Sequence, residues 1–267
     1  MPVCFVESFP GGGFCGEECI LIAKELSGRG AWVITKVPRG APLPAAPTRA
    51  DLVVGSPDFV RAGLKQLAVP APAPPDYPAC LRPFLHREVF PSTLGQVSAT
   101  FAAAPATRLF VKPAQDAKAF NGELLSGADE AGMWLGMWTA AHGPAYPVLC
   151  SEPLDMQVEH RAFCLGGAVK GVGRYGRSAP EGCPPLDMDV VHAAAGTLAS
   201  SAEALAGCAM DWAVARRADG THCTALVEVN DGVFTGYYEG VSPSDFTDMV
   251  LARWAQLVGA PAAAASE

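Results

Sequence analysis

Asp211, Glu228 and Asn230 are the residues best placed by type and spacing to do chemistry. Asp211 stands in the strand-like run MDWAV, and Glu228 and Asn230 stand two apart in ALVEVND. In a strand, residues two apart face one side. The segment 208–232 reads as a hairpin with ADGT as its turn, so Asp211 can share that face from the neighbouring strand. Two carboxylates and an amide oxygen make a hard, oxygen-only set of the kind that suits Mg²⁺ together with water and phosphate. Acids in so apolar a run would be costly to bury without a cation. The bland alternative is a polar outward face of the hairpin.

A cationic set accompanies it. Lys112 ends the strand-like FVKP, Arg161 lies in EHRAF, and Lys170 and Arg174 lie four apart in AVKGVGRYG. Together these cations would neutralise a triphosphate and the charge that develops in phosphoryl transfer. A third motif, GGGFCG at Gly11–Gly16, fits G-x-G-x-x-G between a strand and a helix. The position that should hold a ribose-binding acid holds Lys36, with Arg39 after it, so NAD is disfavoured and NADP stays open. An anion or substrate loop and a plain glycine turn are the other readings.

The elements that must position these residues follow from pattern. The start alternates strand, helix, strand, strand and helix over 2–69, a small α/β unit with a mainly parallel sheet. PAPAPPDYP (70–78) is a stiff connector. Strands follow at 108–114, 147–155 and 159–177, the last with a Gly-Gly turn, and a polar loop covers 115–127. Helices are expected at 189–207 and 245–259, and PAAAASE reads as a frayed tail. Met133, Trp134 and Trp138 have helical spacing and read as core; His142 and His192 read as helix-end or helix-surface residues. His160 alternates away from Glu159. Arg87 is either a structural partner or an anion contact. Tyr237 and Tyr238 shape an acceptor pocket or simply pack.

The order FVKP, Gly-bearing loop, SEPLDMQVEHRAF, VKGVGRY, MDWAV, VEVND resembles the ATP-grasp superfamily, and within it compact ligases related to those that add glutamate to a ribosomal protein tail. The ending VEVNDGVFTGYYEGVSPSDF and the upstream stretch DLVVGSPDFVRAGLKQL support the same resemblance, which spans roughly 50–258. It implies an α+β architecture, an ATP-grasp fold of two lobes clamping ATP, preceded by a small Rossmann-like α/β domain. The divisions are 1–95 for that domain and 96–267 for the ATP-grasp region, with lobes at 96–150 and 151–258 and a tail at 259–267. It implies an ATP- and Mg²⁺-dependent carboxylate–amine ligase acting through an acyl phosphate. By resemblance, Lys112 contacts the α- and β-phosphates, and Lys118 lies in a loop over the phosphates. Ser151, Glu152, Pro153 and Leu154 form the adenine hinge, and Glu159 holds the ribose. Arg161, Lys170 and Arg174 face the γ-phosphate, and Asp211, Glu228 and Asn230 hold one or two Mg²⁺ ions. Asp187 and Asp189 are loop candidates for a base.

Composition sets the remaining bounds. The 267 residues are 50% hydrophobic and 17% charged, which excludes wholesale disorder. The net charge of −8 argues against a nucleic-acid partner. Nine scattered cysteines, with no CxxC pair, read as reduced thiols of a cytoplasmic protein, and no run is apolar enough for a membrane span. The expected partners are small-molecule or peptide carboxylates and amines, with a homodimer possible. The rival readings are an NADP-dependent oxidoreductase built on Gly11–Gly16 and a non-catalytic ATP-binding scaffold.

Overall fold

The computed structural model describes residues 1–115, 119–176 and 178–259, with the backbone alone at Tyr175. In chain order the elements are β1 (Val3–Ser8), α1 (Glu17–Gly28), β2 (Val33–Pro38), β3 (Leu52–Val54), α2 (Pro57–Gln66), β4 (Val89–Thr93) and α3 (Leu94–Ala103). Then come β5 (Arg108–Pro113), β6 (Glu123–Ser126), α4 (Ala128–His142), β7 (Pro147–Ser151), β8 (Asp155–Leu165) and β9 (Ala168–Tyr175). The chain closes with α5 (Met188–Ala199), β10 (Gly207–Arg216), β11 (His222–Asp231) and α6 (Pro243–Val258). These residues form two compact units, one of Leu85–Asp155 and one of Met1–Phe84 with the chain from Met156 onward.

In the larger unit, β1 is the centre of a parallel sheet of order β2-β1-β3. Five consecutive residues of β1 are buried, as a strand covered on both faces requires. Ser56 caps α2, accepting from the Phe59 N–H, and Pro57 opens the helix. The second sheet of this unit has the order β11-β10-β8-β9. Its β8–β9 turn places Gly166 and Gly167 at φ 56° and 85°, left-handed values that a two-residue hairpin of this twist demands.

One apolar core runs from Cys4, Val6, Ile22 and Leu52 to Phe163, Ala209, Phe246 and Met249. The compact units are therefore cut at 84/85 and 155/156, whereas the sequence divisions fall at 95/96 and 150/151. Helix α6 ties the N-terminal sheet in place. The Trp254 indole N–H donates to the Asp51 carbonyl (2.5 Å), and Arg29 of α1 pairs with Asp248 (2.6 Å). Buried Arg253 donates from Nε and Nη2 to Asp231 Oδ2 at 2.9 and 2.5 Å, fixing the end of β11.

The smaller unit is an antiparallel sheet of order β4-β7-β5-β6 packed with α3 and α4 around Leu94, Val97, Phe101, Leu125 and Leu135. Sequence pattern did not assign β4, α3 or β6. β6 takes part of the loop expected over 115–127: Glu123 pairs with Val111 and Leu124 with Phe110. Helix α5 ends at Ala199 rather than 207, because Ser201 folds back, its hydroxyl donating to the Leu198 carbonyl (2.8 Å). Trp134 and Trp138 pack on Phe120 at 5.0 and 4.9 Å, but Met133 is 76% exposed, against the expectation of a core role. It lies off the buried stripe of Ala131 and Leu135. All nine cysteines are free thiols. Burial pushes Cys19 and Cys150 up to about 12, which leaves them protonated and unreactive at neutral pH.

Glu7, at the end of β1, is buried and accepts from the Ser56 N–H (2.7 Å) and from Arg39 Nε (3.2 Å). Burial works against its ionisation, but the Ser56 backbone and side chain and Arg39 outweigh it, and its pKa lies below the ordinary value. A depressed carboxyl pKa contributes stability above the unfolded value, which is lost as pH falls through the folded value. Wild type should therefore exceed Glu7→Gln in urea midpoint at pH 7, with the margin shrinking below about pH 4.5, near the unfolded Glu value. A margin that does not change with pH would contradict the ionised Glu7.

Candidate active site

The β10–β11 register builds the centre of the site. Asp211 lies opposite Glu228, and Ala209 opposite Asn230, so both acids and the amide share one face, as the spacing predicts. A β-bulge follows Asp211. Asp211 is 2% exposed, and both of its oxygens are engaged. Arg161 Nε donates to Oδ1 and Nη2 to Oδ2, both at 2.7 Å, a two-pronged ion pair from β8. Asn230 Nδ2 adds a donation to Asp211 Oδ2 at 2.9 Å. Arg161 Nη1 donates to the Thr235 hydroxyl (3.2 Å), and its guanidinium carbon lies 4.9 Å from the centre of the Tyr238 ring.

This geometry changes two expected roles. Arg161 is expected at a γ-phosphate, yet its fork is committed to Asp211. Asp211 is expected as a metal ligand, yet three N–H groups occupy its two oxygens. The side-chain oxygen of Asn230 lies on the amide's other arm from the nitrogen that bonds Asp211. Glu228 and Asn230 are thus the main oxygen donors of the face, and Asp211 keeps one acceptor position of roughly four. Thr235 and Tyr238 were the contributors that sequence missed or left open. Their signal is FTGYY, directly after the acidic strand.

The β8–β9 pairing separates the remaining cations. Arg161 is opposite Gly173, while Arg174 is opposite His160. Opposed residues point to one side, so Arg174 lies on the reverse face from Arg161, contrary to the expected trio. A bulge between Phe163 and Cys164 leaves Lys170 without a cross-strand partner in the register, and its Nζ reaches Asp245 of α6 at 3.7 Å. Glu159 shares the Arg161 face by alternation. His160 does turn away from Glu159. Its Nδ1 is buried without a hydrogen-bond partner among the described residues, and burial first, then the charge of Arg174, lower its pKa. Removing that charge in Arg174→Ala should raise the His160 pKa toward its ordinary value, read by histidine NMR titration. An unmoved titration would contradict this placement of Arg174.

In the smaller unit, Lys112 is buried on β5 opposite Leu149. Ser151 ends β7, its hydroxyl accepting from Arg87 Nε (3.4 Å) and donating to the Glu152 carbonyl (3.0 Å). Arg87 therefore has a structural partner. The Glu152 N–H goes to the Glu88 carbonyl (3.3 Å), and its carboxylate accepts the Glu88 N–H (3.0 Å). That backbone donor, expected to read adenine, is thus spent in holding β4 to β7. Pro153 and Leu154 lie outside both strands. Lys118 falls outside the described residues, as does the expected tail from residue 260.

The other singled-out residues have local roles. Asp187 caps α5, accepting from the Asp189 and Val190 N–H groups, which removes both acids as candidates for a base. The Tyr237 hydroxyl donates to the Val241 carbonyl (3.1 Å), and its ring packs edge-on to Phe246. His142 stacks on Trp138 at the end of α4, and His192 is exposed on α5. The glycine loop closes on itself: the Phe9 N–H donates to the Gly13 carbonyl (2.7 Å), and the Gly12 N–H to the Phe9 carbonyl (2.9 Å). Helix α1 then begins with Glu17 and Glu18, which oppose a pyrophosphate at its N-terminus.

Among the described residues no group of three or more His, Cys, Asp and Glu side chains converges as a metal cluster. A cation at the β10–β11 face would meet two carboxylates and one amide oxygen. That donor set fits Mg²⁺, which keeps waters and takes phosphate oxygens, and fits neither zinc nor a closed calcium cage. No helix among the described residues is long and apolar enough to cross a membrane.

This arrangement is that of an ATP-grasp fold. The chain belongs to a family of ATP-grasp domains, the second family of its clade, whose model matches residues 84–249, more than half of its length. Among solved structures it is similar to a RimK domain ATP-grasp protein from Sphaerobacter thermophilus DSM 20745, at 16% identity over 94% of this chain and 98% of that one, with a TM-score of 0.58. It is similar to D-cycloserine synthetase DcsG, at 14% identity over 94% and 98% of the two chains, TM-score 0.59. It is also similar to D-alanine–D-alanine ligase from Bacillus anthracis, at 12% identity over 97% and 99%, TM-score 0.54. No curated protein sequence matches it.

Proposed function

We propose that the protein is an ATP- and Mg²⁺-dependent ligase joining a carboxylate to an amine. The observation that carries this reading is the β10–β11 face. There Glu228 and Asn230 flank a buried Asp211 neutralised by Arg161, in a chain of the ATP-grasp family. The names of similar structures include two amide- or ring-forming enzymes, a D-alanine–D-alanine ligase and a D-cycloserine synthetase, which favours the same chemistry.

The reaction follows from charge. A carboxylate is a poor electrophile until one of its oxygens is phosphorylated. Its oxygen attacks the γ-phosphorus of ATP, the bond to the β–γ bridging oxygen breaks, and ADP leaves. The amine nitrogen then attacks the acyl carbon, the C–O bond to phosphate breaks, and the amine proton passes to solvent. The protein's part is positioning and charge stabilisation.

When bound, Mg²⁺ supplies neutralisation of the phosphate oxygens, held by Glu228, Asn230 and the remaining acceptor position of Asp211. Arg161 keeps Asp211 ionised and fixed, and its own positive field remains on that face. In this reading Lys112 meets the α- and β-phosphates, Pro153 and Leu154 the adenine, and Glu159 the ribose. The N-terminal parallel sheet is taken as a Rossmann-like substrate domain rather than a dinucleotide site, since its glycine loop is self-bonded and its first helix begins with two acids.

The test is ADP release from ATP and Mg²⁺ with pooled amino acids and short peptides, with mass spectrometry of the products. A new mass equal to two substrates less one water, formed with ADP, is the expected result. Tight nucleotide binding without ADP release under any pool would favour a scaffold. NADP⁺ reduction would favour the oxidoreductase.

A further inference from the structure

The carboxyl ends of all three parallel strands meet at one carboxylate. Glu7 ends β1, Arg39 follows β2, and Ser56 follows β3. Glu7 Oε2 accepts the Ser56 N–H at 2.7 Å, and Oε1 accepts Arg39 Nε at 3.2 Å. The β3–α2 turn presses so closely on Glu7 that a Cβ added at Gly55 would stand 2.5 Å from the Glu7 Cβ and 2.9 Å from its Oε2. The Arg39 backbone N–H is pinned to the Ser8 carbonyl (2.7 Å), and its guanidinium carbon lies 5.5 Å from the centre of the Phe9 ring. Backbone, Nε and ring contact thus fix this side chain. Its Nη1 and Nη2 have no partner among the described residues, and the side chain is 51% exposed.

The order β2-β1-β3 means that the chain leaves β1 on one side and returns on the other. Open α/β sheets bind ligands in the crevice that this reversal opens at the strands' carboxyl ends. The paired Nη groups of a fixed guanidinium match the two oxygens of a carboxylate. A polyphosphate is a poorer fit. Lys36 is tied to the Gly12 carbonyl (2.9 Å) and lies 4.5 Å from the Phe14 ring centre, and Glu17 and Glu18 add negative charge at the start of α1.

We propose that Arg39 is the carboxylate-binding residue of a substrate subsite at this sheet edge, with Glu7 as its positioning residue. That the carboxylate belongs to a ligation substrate rests on the ligase reading; the binding site does not.

The test uses the full chain with ¹⁵N-labelled arginine side chains, titrated at constant ionic strength with sodium acetate, inorganic phosphate, NADP⁺ and sodium chloride. ATP–Mg²⁺ binding to the wild type is measured in parallel. Acetate should shift one arginine signal saturably, and that response should vanish in Arg39→Lys, a surface change that leaves the fold intact. Glu7→Gln should weaken it about tenfold, the worth of one hydrogen bond to a charged group. No saturable shift, an equal shift with chloride, or a tighter response to NADP⁺ or phosphate than to acetate would overturn the proposal. An intact acetate response in a protein that fails to bind ATP would leave the subsite standing and sink the ligase reading.

Discussion

Asp211→Ala should cost about 3–5 kcal/mol of folding stability and abolish ATP-dependent turnover. The stability loss follows from what remains behind. Arg161 is itself largely buried, with a side chain 12% exposed, and two of its nitrogens would lose their acceptor. Asn230 would lose the carboxylate that orients its amide. An uncompensated buried charge costs far more than the pair is worth, so the single removal is the sensitive probe. Asp211→Asn should fall between, since one acceptor oxygen survives. Urea midpoints of the three proteins, read alongside ADP release, check this. An Asp211→Ala protein as stable as wild type would contradict the buried pair.

Arg253→Ala should cost a similar amount, about 3–5 kcal/mol, without touching any group assigned to substrate. Asp231 is 4% exposed and holds Arg253 through Oδ2 and the Val233 N–H through Oδ1. Removing the arginine strands a carboxylate between β11 and α6. The same pair fixes the residue next to Asn230, so turnover should fall as the strand end loosens. Joint replacement by Arg253→Met and Asp231→Leu should recover much of the stability, since it leaves no buried charge unpaired. Equilibrium unfolding of the single and double variants reads this directly. A single variant within about 1 kcal/mol of wild type would refute the role given to the pair, because exposed ion pairs contribute no more than that.

The acidic strand was legible because alternation is strict there. Glu228 and Asn230 sit two apart between apolar neighbours, and the hairpin turn fixed Asp211 opposite them. What alternation could not supply was the effect of single inserted residues. The bulge at Lys170 shifts the count along β9, and Arg174 falls on the His160 side. Lys170 and Arg174, four apart, look like one face only in a regular strand. Nor does spacing show which cation a buried acid will choose. Arg161 is fifty positions from Asp211 and forks onto it, rather than standing ready for phosphate.

At the N-terminus the glycines drew attention while the working residue was Glu7, a lone acid in an apolar strand. Its partners, Arg39 and Ser56, come from two other strand ends, and only the parallel order brings them together. In the smaller unit β4 and α3 were missed because the PST run between them reads as a turn. Thr93 caps α3 there, accepting from the Gln96 N–H.

The central claim is that the Glu228–Asn230 face binds nucleotide through Mg²⁺. Calorimetric titration of a non-hydrolysable ATP analogue, with and without Mg²⁺, into wild type and Glu228→Gln tests it without any knowledge of the other substrates. The account predicts saturable binding that Mg²⁺ tightens in wild type, and loss of that tightening in a folded Glu228→Gln protein. No saturable binding to wild type, or an Mg²⁺ effect unchanged by Glu228→Gln, would contradict it.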